Sequence, residues 1–162
     1  VAGLLGLNQE DRWILLAMGG MEFRPPLERW PHTPGLRWLV PGAWTLERQD
    51  VHAFDAATLD FSDLLASVDA VITKPGYGTF VEAAGAGIPV LYLERGDWPE
   101  TPHLTDWLAN NARAAQLTRG QLLAGDFVSV LQGLWHAPAP ALPATTGAAD
   151  AAQRLVKALG LS

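Results

Sequence analysis

Short runs of apolar residues alternate along the chain with segments in which apolar positions recur at helical spacing. A continuous apolar run predicts a strand that is buried on both faces, because such a strand has no solvent side for polar residues. Predicted strands lie at 12–18, 36–40, 51–54, 70–73 and 88–93, and predicted helices at 61–66, 79–86, 101–110, 121–135 and 148–159. This alternation indicates βαβ units with right-handed crossovers. The sequence therefore predicts an α/β fold, a three-layer αβα sandwich around a parallel sheet.

The pattern also divides the chain into segments. Residues 1–11 show no period and are interpreted as a linker remnant, and residues 12–135 are predicted to form the domain. Proline and alanine dominate residues 136–147, which predicts an extended arm, and residues 148–162 are predicted to be a C-terminal helix. After the first strand, Pro25 and Pro26 leave room for only one or two helical turns. Because the chain begins with Val1, we interpret it as a fragment.

Composition excludes several classes of protein. The 162 residues carry 11 basic and 17 acidic side chains, and this formal net charge of −6 argues against nucleic acid as a partner. With no cysteine there are no disulfides or thiolate metal sites, and the four histidines lack metal-ligand spacing. We expect no metal and no cofactor. No apolar stretch reaches the roughly 18 residues that span a membrane, and no secretory signal is present. These features predict a cytoplasmic protein that is not transmembrane.

Glycine-rich or charged segments that could bind a ligand follow three of the predicted strands. In an open parallel sheet, ligands bind beyond the carboxyl ends of the strands. Gly19-Gly20, after the first strand, either forms a simple turn or allows bare backbone to approach a phosphate. The pair belongs neither to the G-x-G-x-x-G fingerprint nor to a Walker loop. Arg95, Asp97 and Glu100, after the fifth strand, form either a solvated connection or a ligand contact.

The segment after the fourth strand, Gly76-Tyr77-Gly78-Thr79, opens a predicted helix. Its free backbone N–H groups and partial positive charge suit a phosphate. Thr79 and Glu82 also match the S/T-x-x-E capping box, although a carboxylate beside a bound phosphate is equally suited to ribose hydroxyls. Lys74 is either a phosphate partner or an ordinary surface lysine.

The stretch from Asp69 to Pro89 resembles the donor-binding segment of GT-B glycosyltransferases. It combines a strand, the helix start Gly76-x-x-Thr79-x-x-Glu82, a helix of small residues, and Gly-Ile-Pro before the next strand. It is similar to the peptidoglycan UDP-GlcNAc transferase class. Its Gly-Tyr-Gly-Thr sequence and the region 95–104 resemble the glycosyltransferase-like region of plant L-arabinokinase. The similarity extends over about 12–135.

This resemblance implies a Rossmann-like domain, half of a GT-B fold, that binds a nucleotide-diphosphate sugar, with UDP favoured. It implies that Glu82 holds the ribose hydroxyls and that Asp97 and Glu100 contact the sugar. The diphosphate would lie between Gly78-Thr79 and Gly19-Gly20, and the backbone of Phe54 and Asp55 would contact the base. The complete set of candidate ligand-binding residues is Gly19, Gly20, Phe54, Asp55, Lys74, Gly76, Tyr77, Gly78, Thr79, Glu82, Arg95, Asp97 and Glu100.

Two features depart from the family pattern. Met21 stands where relatives often carry a small hydroxyl residue, and the Asp-Gln pair typical of sugar-contacting loops is absent. In this architecture the catalytic base comes from the amino-terminal acceptor domain, so no catalytic residue is expected in this chain. We predict the donor-binding half of a metal-independent hexosyltransferase whose partner is the missing amino-terminal domain. The alternatives are a degenerate sensing or scaffold module and half of a nucleotide-sugar epimerase.

Overall fold

The computed structural model describes all residues except 1, 2, 4, 9, 20–22, 45, 56–57, 94–97 and 162. The described strands are β1 (Arg12–Ala17), β2 (Leu36–Pro41), β3 (Val51–Phe54), β4 (Ala70–Thr73), β5 (Val90–Leu93) and β6 (Ala114–Leu117). The described α-helices are α1 (Phe61–Leu65), α2 (Tyr77–Ala86), α3 (Thr101–Asn111), α4 (Arg119–Ala124), α5 (Val128–His136) and α6 (Gly147–Ala158).

The strands form one parallel sheet in the order β3-β2-β1-β4-β5-β6. Strand β1 lies near the centre, where Leu15 is in register with Leu39 of β2 on one side and Val71 of β4 on the other. From β1 the chain moves outward to β3, and it then returns across β1 to continue in the opposite direction. The reversal places the ends of β1 and β4 side by side. The predicted α/β fold with a parallel sheet is confirmed.

An apolar core lies on each face of the sheet. Successive side chains of β1 point to opposite faces, so Ile14 and Leu16 enter one core while Trp13 and Leu15 enter the other. Residues of α4, α5 and the segment before β2 cover the first face. Residues of α1, α2 and α3 cover the second face. This double cover explains why β1, β2 and β4 are continuously apolar.

The described residues between β1 and β2 contain one 3-10 turn, Leu27–Arg29, in agreement with the prediction of one or two turns. Pro25 and Pro26 prevent a longer helix because each lacks a backbone N–H group. The space is filled by aromatic packing instead: the ring of Phe127 lies 5.0 Å from Trp30 and 5.9 Å from Trp38, centroid to centroid. The region following α4 therefore covers the part of the sheet that the prolyl segment leaves open.

A buried ion pair holds this segment in place. Arg48 makes two hydrogen bonds to Asp50, at 2.6 and 2.9 Å, and donates others to the carbonyl oxygens of Leu27 and Trp30. Burial by itself raises the pKa of Asp50, but the hydrogen bonds and charge of Arg48 outweigh burial and hold that pKa below its ordinary value. Arg48 thereby ties the 3-10 turn to the connection between β2 and β3.

Two sequence predictions are wrong in detail. A single helix over 121–135 is predicted, but the chain forms α4 and α5, because Gly125 adopts a left-handed conformation (φ +70°) and ends α4. Strand β6 is absent from the prediction. Its sequence, AAQL, has no marked strand preference, and its pairing with β5 is decided by the neighbouring strand.

Candidate functional site

The candidate site lies where the direction of the sheet reverses, at the carboxyl ends of β1 and β4. In open parallel sheets this reversal opens a crevice that receives ligands. The buried hydroxyl of Thr73, the last residue of β4, donates a hydrogen bond to the carbonyl oxygen of Ala17 at 2.7 Å. This bond joins the two strand ends directly. Thr73 is not among the site residues predicted from sequence, although a hydroxyl that ends the otherwise apolar strand β4 is a signal for it.

The amino terminus of α2 opens at this crevice. Gly76 is the N-cap residue and is extended (φ −173°), and no side chain caps the helix. The first backbone N–H groups of α2 therefore lack side-chain acceptors, and the helix macrodipole makes this end partially positive. The capping-box prediction is wrong because Thr79 is the third residue inside the helix rather than its N-cap. Such an end favours a bound anion.

The glycines around this helix end are open to the outside. Apart from the adjoining backbone, a Cβ atom added at Gly78 or at Gly19 would meet no heavy atom of the described residues within 4 Å. Neither glycine is among the described residues with a positive φ, so the backbone conformation does not require glycine at either position. Backbone at both positions is therefore accessible to a ligand.

Lys74 adds positive charge at the same place. Its Nζ atom lies 4.0 Å from the position that a Cβ of Gly76 would occupy, beside the N-cap of α2. No ion pair formed within the described part of the chain includes Lys74. An ammonium group near a helix amino terminus is unfavourable, because both carry positive charge, unless an anion lies between them. Lys74 and α2 together therefore favour anion binding.

Glu82, in the second turn of α2, has an unsatisfied carboxylate oxygen. Its Oε2 atom is buried and accepts no hydrogen bond from any described residue. The hydroxyl of Thr101, the first residue of α3, is also buried and makes no hydrogen bond to a described residue. A buried polar atom without a partner costs about 1–3 kcal/mol, and more when it is charged. A ligand that donates a hydrogen bond to Glu82 would remove this cost.

A third group of side chains lies near the end of β5. Glu100 accepts a hydrogen bond from Nε1 of Trp98 at 3.0 Å. Partial desolvation and the neighbouring carboxylate of Glu100 raise the pKa of Tyr77 above its ordinary value. The structure therefore brings Tyr77, Trp98 and Glu100 together, and both aromatic rings remain exposed.

The other predicted site residues are more distant or undescribed. Phe54 ends β3, two strands away from β1, and its carbonyl oxygen accepts a hydrogen bond from Gly42 at 2.8 Å. Asp55 follows it and is exposed. Gly20, Arg95 and Asp97 lie outside the described residues, and their predicted ligand contacts stay predictions.

A cavity of about 560 Å³ lies at the opposite edge of the sheet, between the start of β1 and the residues before β4. Three of its four charged lining residues are paired: Arg12 contacts Asp69 at 2.5 Å, and Asp11 contacts Arg37 at 2.7 Å, whereas Glu10 forms no ion pair with a described residue. Hydrogen bonds from Arg37 and Asn8 lower the pKa of Asp11. Because most of these charges already have partners, this cavity is a weaker candidate than the carboxyl edge.

Neither a metal centre nor a membrane span emerges from the structure. Over the described ranges, no three histidine or acidic side chains are grouped as metal ligands would be. Within the same ranges, no helix combines the length and the apolar character needed to cross a bilayer.

The strand order and the crevice at the reversal define a Rossmann-like domain. Its fold matches one half of a GT-B fold, as the sequence predicts. The structure of the glycosyltransferase SnogD from Streptomyces nogalater matches 94% of this chain with a TM-score of 0.50 and 20% sequence identity. The match covers 45% of SnogD. No family model matches the sequence.

A second similarity is visible in the sequence. The L-arabinokinase of Arabidopsis thaliana is 28% identical over 129 residues, which cover 79% of this chain and 12% of that protein. The chain therefore spans less than half the length of SnogD and a small part of L-arabinokinase.

Proposed function

We propose that this domain binds the nucleoside diphosphate of a nucleotide-sugar, as the donor-binding half of a hexosyltransferase. Glu82 carries the proposal, because its buried Oε2 atom has no partner in the described structure. A ribose ring offers two neighbouring hydroxyl donors, which match a carboxylate acceptor. The resemblance to GT-B glycosyltransferases assigns the same role to this position.

The spacing along α2 supports this assignment. Glu82 lies five residues beyond Tyr77, which corresponds to about 7.5 Å along the helix axis. A nucleoside diphosphate covers a comparable length between its phosphates and its ribose hydroxyls. One ligand can therefore reach the helix amino terminus and Glu82 together.

The diphosphate would lie at the amino terminus of α2. Open backbone at Gly78 and the ammonium group of Lys74 supply positive potential there. In a transfer reaction the same groups would stabilise the negative charge that develops on the leaving diphosphate, so a divalent metal is not required. The acceptor and the catalytic base would come from the amino-terminal domain, and this chain alone would bind the donor without transferring its sugar.

The remaining contacts of the donor are part of the proposal. Backbone groups at Phe54 and Asp55 would contact the base, with uracil favoured. Gly19 and Gly20 would face the diphosphate. Arg95, Asp97 and Glu100 would contact the sugar.

Calorimetric titration with UDP, GDP, ADP and dTDP, without added metal, tests this proposal. We expect one diphosphate to bind and Glu82→Gln to weaken its binding at least tenfold, or about 1.4 kcal/mol. Because Oε2 of Glu82 is buried without a hydrogen bond to any described residue, neutralising this carboxylate should not lower the free energy of unfolding. Asp126→Asn, a change at an exposed carboxylate between α4 and α5, is the matched control and should alter neither quantity.

Two outcomes would contradict the proposal. If the folded chain binds none of the four diphosphates, the domain is better explained as a non-catalytic sensing or scaffold module. If Glu82→Gln lowers stability and affinity in parallel, Glu82 has a structural role. The epimerase alternative shares the donor site and differs in the domain that supplies catalytic groups.

A further inference from the structure

Tyr77 and Glu82 lie on different sides of helix α2. Tyr77 and Glu82 are five residues apart, so they lie about 140° apart around the helix axis. A diphosphate bound at the helix end would therefore have Glu82 on one side and Tyr77 on another. If Glu82 holds the ribose, the opposite end of the donor is directed toward Tyr77.

Two exposed aromatic rings lie on that side. The side chains of Tyr77 and Trp98 are 58% and 38% exposed. Glu100 restrains both of them, because it accepts the 3.0 Å hydrogen bond from Trp98 and lies beside the hydroxyl of Tyr77. Large aromatic side chains that are exposed and yet held by a hydrogen bond are typical of binding sites, where they provide contact area at a low cost in conformational entropy.

The chemistry of this group suits a sugar ring. A pyranose has an apolar C–H face that packs on an aromatic ring, and hydroxyl groups at its edge that donate hydrogen bonds. Glu100 retains free acceptor capacity, because an ionised carboxylate has about four lone-pair sites and the bonds from Trp98 and from the Tyr77 hydroxyl use two. The same carboxylate repels a second carboxylate.

We propose that Tyr77, Trp98 and Glu100 form the sugar subsite of the donor and select a neutral pyranose over a uronic acid. This inference rests on the proposed function, because the sugar is placed relative to the diphosphate on α2. It adds Trp98, a specific role for the ring of Tyr77, and the charge selection by Glu100 to the donor contacts described above.

The test compares calorimetric binding of UDP, UDP-glucose and UDP-glucuronate to the chain. If the first titration selects another base, the corresponding diphosphate and its glucose and glucuronate esters replace these probes. Wild type should bind UDP-glucose at least fivefold more tightly than UDP. Tyr77→Ala and Trp98→Ala should each reduce that gain to less than twofold, with UDP affinity unchanged within twofold.

Glu100→Gln tests the charge selection. Wild type should bind UDP-glucuronate at least fivefold more weakly than UDP-glucose, and Glu100→Gln should narrow the difference to less than twofold. Val81→Ala is the matched control, because Val81 is an exposed apolar residue one turn further along α2. It should leave all three affinities unchanged.

The outcomes separate the two proposals. If wild type binds no diphosphate, the proposed function fails and the sugar subsite fails with it. If UDP binds but UDP-glucose binds no more tightly, or if the aromatic substitutions leave the gain intact, only the sugar subsite is overturned. If both sugars bind equally in wild type, the charge selection by Glu100 is wrong.

Discussion

Among the described residues, nothing in the geometry around position 78 requires glycine. Its φ is not positive, and an added Cβ would touch nothing within 4 Å, although glycine is a poor helix former. Gly78 weakens helix α2 and relieves no internal contact. The presence of glycine at this position is readily explained by a ligand that approaches the backbone.

We therefore expect Gly78→Ala to raise the free energy of unfolding by about 0.5–1 kcal/mol. The same change should weaken diphosphate binding at least tenfold, because the methyl group occupies the approach to the helix end. Urea unfolding and calorimetric titration measure the two effects. Gly85→Ala is the matched control: Gly85 is equally open but lies two turns further along α2, so it should stabilise the domain without changing affinity. Equal affinity in both variants would contradict a phosphate site at Gly78.

The role of Glu82 cannot be predicted from residue types alone. The spacing of Thr79 and Glu82 fits both a capping box and a ligand carboxylate, and the sequence does not separate them. The structure removes the first alternative, because α2 begins at Tyr77 and Thr79 lies inside the helix. Helix ends depend on backbone geometry, and predictions of the exact first residue are correspondingly weak.

At the scale of elements, Gly125 decides how the chain after β6 covers the sheet. It is buried and left-handed, and an added Cβ would lie 2.8 Å from Trp30 and 2.9 Å from Pro31. The tight turn between α4 and α5 therefore requires glycine for both its φ and its lack of a side chain.

We expect Gly125→Ala to lower the free energy of unfolding by about 2–4 kcal/mol, from a strained φ together with overpacking. Urea denaturation measures this loss. The matched control is Gly120→Ala in α4, where an added Cβ would meet only the Thr118 hydroxyl, at 3.9 Å, and should be neutral or stabilising by up to about 1 kcal/mol. A loss below 1 kcal/mol for Gly125→Ala would show that the turn adapts.

At the scale of the whole molecule, α6 contributes no buried residue to the domain. Its apolar residues Leu155 and Leu159 are 62% and 68% exposed, and the prolyl arm separates it from α5. The two cores form entirely from residues before the arm. The residues before the arm are therefore predicted to account for the stability of the domain.

Removal of residues 147–162 should accordingly leave the urea midpoint of unfolding unchanged within error, because no apolar area leaves the cores. Leu131→Ala, at a fully buried position in α5, is the comparison and should cost about 2–5 kcal/mol. A loss of more than 1 kcal/mol on truncation would mean that α6 packs on the domain.

The sequence by itself determined the strands β1, β2 and β4, the parallel character of the sheet and the interrupted segment after β1. These features follow from local patterns, since burial on both faces requires continuous apolar runs and proline acts on its own turn. It also identified the helix start at Gly76–Thr79 as a candidate anion site. It did not identify β6, whose pairing depends on β5, or the break at Gly125, which depends on Trp30 and Pro31.

Only the tertiary structure decided which of the candidate residues meet. Strand order places the ends of β1 and β4 together, with Thr73 bonded to Ala17, and it leaves Phe54 two strands from β1. It also left Oε2 of Glu82 without a hydrogen bond to any described residue, and it brought Glu100 into contact with Trp98 and Tyr77. The contact between the strand ends joins residues that are far apart in the chain. The unsatisfied oxygen of Glu82 depends on which hydrogen-bond donors lie near it. Local sequence patterns cannot predict such contacts, because the neighbours of a side chain are set by the packing of the whole domain.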